Sequence, residues 1–200
     1  MEGINLIHGD SLQALKGYAD NHFNIAIVDP PYGIGISSNP FRQKFEKCEW
    51  DNEMPNKQYF EELMRVSKNQ IIWGGNYFDL PPSQGFIIWD KKQPQGFSSA
   101  MCEMAWTSFA KPAKIFRKHV VTTEPNKIHP TQKPVDLYKW LLTYYTNEND
   151  LILDTHLGSG NIAIACHYMK RNLIGYEIDK EYYDAACKRF KEQTMQQALW

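Results

Sequence analysis

Short apolar runs alternate with helical patterns at both ends of this 200-residue chain, and that alternation restricts the fold more than any other feature. Ile4–His8, residues 24–28, Leu151–Asp154 and residues 172–176 are apolar runs of strand length. Residues 56–68, Val135–Tyr145, residues 161–169 and 180–193 instead carry apolar side chains at helical spacing. Strands that take turns with helices read as an α/β fold, a mostly parallel sheet with helices on both faces. Gln70–Trp73, residues 86–89 and 104–109 add three β-like runs, spaced by Pro81, Pro82 and Pro94. Seven strands are therefore predicted. No linker, repeat or low-complexity stretch divides residues 1–200, so one domain is expected.

Local signals fill in the elements. Ser11 reads as the N-cap of a short helix over Ser11–Leu15, and Pro134 as an N1 proline opening Val135–Tyr145. Residues 33–55 form a polar, glycine-bearing and partly basic stretch too long to be a simple connection. The formal charge of −1 excludes a globally basic nucleic-acid binder but leaves room for local basic patches. One such run is Lys111, Lys114, Arg117 and Lys118, which fits a solvated strand face as well as a phosphate contact. Cys48, Cys102, Cys166 and Cys187 form no CxxC pair, and no His/Cys/Asp/Glu cluster has metal-ligand spacing. No run approaches the ~20 apolar residues needed to span a bilayer, and the first residues lack a signal-peptide pattern, so a cytoplasmic protein is expected.

Two motifs carry chemistry. Asp29-Pro30-Pro31-Tyr32 stands directly after the apolar run 24–28. Two successive prolines fix φ, remove two N–H donors and force an extended turn whose carbonyls are free to accept. With a carboxylate on one side and an aromatic ring on the other, the turn suits a flat ring bearing an amino group. The ring would stack on Tyr32, and the amine would donate to Asp29 and the Pro30 carbonyl. The plainer alternative is a proline turn that ends a strand, with Asp29 as a cap. The second motif, Asp154-Thr155-His156-Leu157-Gly158-Ser159-Gly160, lies between a strand and a helix. Its glycines allow close backbone approach to a ligand at a helix N-terminus. Glu177, after the next strand, is placed to hold a ribose diol. Taken alone, this half also fits an NAD-dependent oxidoreductase or a tight structural turn.

Together the two motifs resemble the S-adenosylmethionine-dependent amino-group DNA methyltransferases, of the permuted class in which the catalytic motif precedes the cofactor motif. Further pieces agree in order: His8-Gly9-Asp10, Trp73-Gly74-Gly75-Asn76-Tyr77-Phe78, His129-Pro130-Thr131-Gln132-Lys133-Pro134 and Gly175-Tyr176-Glu177-Ile178-Asp179. The resemblance spans nearly the whole chain. It implies a single Rossmann-like methyltransferase domain with a catalytic half over about 1–128 and a cofactor half over about 129–200.

The resemblance also implies roles. Asp29, Pro30, Pro31 and Tyr32 match the target-base site. Asp154, Gly158, Ser159 and Gly160 match the loop that holds the methionine part of S-adenosylmethionine, and Glu177 the acid on its ribose. Asp10 matches an acid near the adenine of the cofactor; as a bare residue it fits a helix cap equally well. Lys133 and Pro134 open the helix over the methionine end. The chain departs from the family at Thr155-His156, where Pro-Phe is usual, and at Asn161, where Thr is usual; His156 can still stack and Asn161 can still donate. DNA is the implied partner and no metal is required; a homodimer is compatible. DPPY rather than SPPY favours adenine N6 over cytosine N4. The competing readings are cytosine N4 transfer, methylation of RNA or of a glutamine side chain, and a non-catalytic nucleic-acid-binding relative. Arg42, Lys44 and Lys47, interleaved with Phe41, Phe45 and Trp50, are the expected DNA contacts of the 33–55 stretch.

Overall fold

Strand β2, Ile25–Val28, sets the architecture, because all four of its residues are buried. Ile25 and Ile27 enter one apolar cluster, while Ala26 and Val28 enter a second on the opposite face of the sheet. A strand that is apolar on both sides must be covered on both sides. The computed structural model describes residues 3–34, 54–94, 96, 100–119 and 132–195. Within them the strands are β1 (Ile4–His8), β2, β3 (Gln70–Trp73), β4 (Phe86–Asp90), β5 (Cys102–Thr107), β6 (Lys114–Arg117), β7 (Leu151–Asp154) and β8 (Asn172–Glu177). The helices are α1 (Ser11–Leu15), α2 (Lys57–Val66), α3 (Val135–Tyr145), α4 (Asn161–Tyr168) and α5 (Lys180–Met195).

Among the described residues the sheet has eight strands in the order β1-β8-β7-β2-β3-β5-β4-β6, and of these β5 alone runs against the rest. The expectation of seven strands is corrected by β6, a four-residue strand at the sheet's outer edge, inside the basic run 111–119. Its polar alternation suits an edge, with Ile115 and Arg117 exposed and Lys114 and Phe116 half-buried. Helices α3, α4 and α5 pack on one face through Leu137, Leu141, Ile164 and Phe190. Helices α1 and α2 cover the other through Leu15, Tyr59, Leu63 and Val66.

Two caps differ from expectation. Asp10, not Ser11, caps α1, accepting from the Leu12 and Gln13 amides at 2.8 and 3.4 Å. Pro134 occupies the N-cap of α3, with Val135 the first helical residue. No described helix is long and apolar enough to cross a membrane.

The order of strands opens a crevice. From β7 the chain passes through α4 to β8 on one side, and from β2 through α2 to β3 on the other. Strands β2 and β7 are parallel neighbours, with Ala26 opposite Leu153. The loops leaving them, at Asp29 and at Asp154–Thr155, therefore emerge side by side where the direction of winding reverses. Open α/β sheets bind their ligands at such a point.

Candidate active site

The Asp29–Tyr32 turn, the candidate base site, is held from below and from the side. Tyr32 donates to Asp29 Oδ1 at 2.7 Å, and its ring stacks on Tyr77 with centroids 5.0 Å apart and planes 15° apart. Gly74, at φ +70°, lies under the ring, and a Cβ there would run into Tyr32. Glycine is required at that position both for the left-handed backbone and for the close approach. Lys133 reaches across from the segment before α3 to pair with Asp29 Oδ2 and with Glu103 Oε2, the latter at 3.0 Å. Lys91 closes the row on Glu103 Oε1 at 2.6 Å.

Burial and neighbouring charges compete over the titration of this group. Burial raises Asp29, and Lys133 opposes the rise without overturning it. Burial would lower Lys133, but Asp29 and Glu103 together hold its ammonium above the usual value. Burial would raise Glu103, yet two lysines bring it down to about 2. Tyr32 is raised by burial and by the Asp29 carboxylate, so its hydroxyl keeps its proton.

The glycine loop lacks such counter-ions. Asp154 accepts from the His156 amide at 3.0 Å, and burial pushes its carboxyl up to about 8. Glu177 accepts from the Gly158 and Asp179 amides at 2.8 and 3.0 Å, and burial raises it as well. Among the described residues no lysine or arginine lies within ion-pair distance of either carboxylate. Gly160, at φ +71°, packs against Ala186 of α5, so that a Cβ there would come within 3.1 Å of it. Ser159 gives its carbonyl to Arg189 at 3.2 Å. Asn161, first residue of α4, donates through Nδ2 to the Lys133 carbonyl at 2.5 Å and so ties the glycine loop to the other site.

His156 accounts for the departure at 155–156. Its Nδ1 lies 2.9 Å from Thr155 Oγ1, which in turn is 2.6 Å from the Tyr59 hydroxyl. Burial lowers the imidazole to about 4, so the ring is neutral at pH 7. A chain of ring contacts runs from His156 through Tyr59, Phe60 and Phe78 to Tyr32, each pair 5.0 to 6.1 Å apart. The two loops thus share one aromatic floor.

The structure brings Asp29, Tyr32 and Lys133 together on one side and Asp154, His156, Gly158, Ser159, Gly160, Asn161 and Glu177 on the other, while Pro134 caps α3 and lines a separate cavity with Lys118 and Lys139. Asp10 caps α1 just after β1, and its carboxylate acts on His156 of the glycine loop. Arg42, Lys44 and Lys47 lie outside the described residues. Sequence reading missed Glu103, Lys91 and Tyr59, and held Tyr77 only as part of a motif. A glutamate beside the apolar run Met104–Trp106 was the available sign for Glu103.

Two buried carboxyls with no ion-pair partner among the described residues, Asp154 feeling Lys133 only at longer range, suit a ligand that brings positive charge and a diol. The amine-accepting turn beside them suits a flat heterocycle.

Comparison with known proteins agrees. Residues 72–188 match the N6/N4 family model described as DNA methylase. The type II methyltransferase M.HpaI of Haemophilus parainfluenzae is 27% identical over 238 aligned residues, covering 94% of this chain and 74% of that one. M2.MboI of Moraxella bovis, also a type II methyltransferase, is 25% identical, covering 96% and 89%. Among solved structures, the cytosine-N4-specific PvuII DNA methyltransferase aligns with a TM-score of 0.66 at 14% identity, covering 98% of this chain and 91% of that one. The M1.HpyAVI–SAM complex aligns at 0.60 with 24% identity, covering 93% and 99%. At these identities the two structures share the fold.

Proposed function

Because the chain belongs to the N6/N4 DNA methylase family, we propose that it transfers a methyl group from S-adenosylmethionine to adenine N6 in DNA. The observation that carries this reading is the meeting of Asp29 and Tyr32 with the glycine loop at the ends of the adjacent strands β2 and β7. When bound, S-adenosylmethionine supplies a methyl group on a sulfonium, which is a good leaving group. Asp154 and Glu177 would hold its cationic and ribose portions, with His156 as a neutral ring against it.

The amine of adenine is a poor nucleophile, since its lone pair is delocalised into the ring. Asp29 and the Pro30 carbonyl accept its two protons, which favours a pyramidal nitrogen with its lone pair out of the ring plane. Positioning then supplies most of the rate. Asp29 takes the proton the nitrogen loses. The base must first leave the duplex, at a cost of a few kcal/mol. Stacking on Tyr32 returns about 1–3 kcal/mol of that cost.

In this reading residues 1–128 form the catalytic half and 129–200 the cofactor half of one domain. DNA is held in part by Arg42, Lys44 and Lys47, the work is done in the cytoplasm, and a homodimer is compatible with it. The stretch 90–128 also carries strands β5 and β6, which leaves little of it for a base-reading module, so sequence recognition is expected to be loose. The test is sequencing that detects modified bases, on DNA from cells expressing the protein. N6-methyladenine is the expected product. N4-methylcytosine would keep the chemistry and change the base, and unmodified DNA would overturn the reading.

A further inference from the structure

Four charges of alternating sign, Lys91, Glu103, Lys133 and Asp29, form one row from four separate segments of the chain. The row ends at Asp29 Oδ1, to which Tyr32 donates. We propose that Lys133 is a positioning residue for Asp29: its ammonium, wedged between two carboxylates, keeps Asp29 an oriented anion with Oδ1 turned towards the target amine.

The geometry leaves Lys133 little freedom. Its side chain is 1% exposed, its ammonium lies 5.1 Å from the Trp73 ring centre, and its carbonyl is fixed by Asn161. Lys133 occupies Oδ2, so a base entering the turn meets Oδ1 and exchanges with the Tyr32 hydroxyl there. A carboxylate buried without a cation takes up a proton. A protonated Asp29 would donate where the reaction needs an acceptor. Glu103 holds the ammonium in place and Lys91 neutralises Glu103, so the row is balanced without any ligand. Besides Lys133, Glu103 and Tyr32, the groups that feel the Asp29 charge are Asp154 at the end of β7 and Tyr59 of α2.

The role rests on the methyltransferase reading, but the coupling of Lys133 to Asp29 can be measured without it. The experiment follows the Asp29 carboxyl by carbon NMR against pH in the full chain, assigned with Asp29→Asn. Lys133→Met should raise the Asp29 midpoint by at least about one pH unit, the scale of a lost opposite charge. Lys133→Arg should restore it, and Lys133→Met with Glu103→Gln should recover part of it. The acid limb of the single-turnover methylation rate should move with the midpoint, while S-adenosylmethionine affinity stays within about threefold, because the lost charge acts on Asp29. Should Lys133→Met fail to fold, Glu103→Gln alone serves, and the Asp29 midpoint should then fall.

An unmoved midpoint, or a moved midpoint with a fixed acid limb, would overturn the proposal. A large loss of cofactor affinity with an unmoved midpoint would make Lys133 a cofactor ligand instead. A parent protein that methylates no DNA yet shows the shift would overturn the methyltransferase reading and leave the coupling standing.

Discussion

The base turn and the glycine loop lie side by side, yet they treat buried charge in opposite ways. At the base turn the chain supplies both signs: Asp29 and Glu103 are matched by Lys133 and Lys91. At the glycine loop Asp154 and Glu177 have backbone amides and no described counter-ion, and both carboxyls are raised by burial. Ionising a buried carboxyl that has no cation beside it is costly, and such a group tends to keep its proton. A site can bear that cost when the ligand brings the missing charge. The balanced half is thus ready for a neutral base, and the unbalanced half for a cation.

This contrast can be broken by mutation. The largest effect is expected from Asp29→Ala, which should lower single-turnover methylation by about 10²–10⁴-fold, the range for a lost general base. Cofactor affinity should stay within a few fold, because Asp29 belongs to the other half; calorimetric titration reads this. Glu177→Ala should do the reverse. It should weaken S-adenosylmethionine binding by about 1.5–3 kcal/mol, the scale of hydrogen bonds to a charged group, and an affinity equal to the parent's would remove Glu177 from the cofactor. Gly74→Ala should cost about 1–3 kcal/mol of stability in urea unfolding, from strain at positive φ and the displaced Tyr32 ring. The smallest effect is expected from Tyr32→Phe. The hydroxyl only occupies Asp29 until a base arrives, so activity on duplex DNA should survive in Phe and fall in Tyr32→Ala. Equal loss in both would assign the role to the hydroxyl.

Much of this was legible in the chain because the signals are local. Asp-Pro-Pro-Tyr after an apolar run and Asp154 to Gly160 before a helix each lie within a few residues, and the strand–loop–helix pattern places them at strand ends. The charge row was not legible, because it depends on pairing. Strand β5 runs antiparallel to β4, with Glu103 opposite Trp89 and Lys91 just beyond, and only that register brings both to the C-terminal end of β2. The resemblance gives Lys133 to the cofactor side, and its ammonium pairs with Asp29 in the structure. The eighth strand was legible only as one of two readings of the basic run, because of its own composition. Lys114–Arg117 is short, basic and at an edge, where a strand needs few apolar residues.

The central claim is that the glycine loop waits for a cation while the base turn does not. It is tested most directly by proton release on cofactor binding. Asp154, held up at about 8, is mostly protonated at pH 7 in the free protein. A sulfonium and an ammonium brought beside it would lower that value and expel the proton. Titration calorimetry with S-adenosylmethionine at pH 7, in buffers of different ionisation enthalpy, should therefore show release of close to one proton. In Asp154→Asn the release should vanish, and in Asp29→Asn it should persist. No proton exchange in the parent protein, or release that persists in Asp154→Asn, would contradict the account.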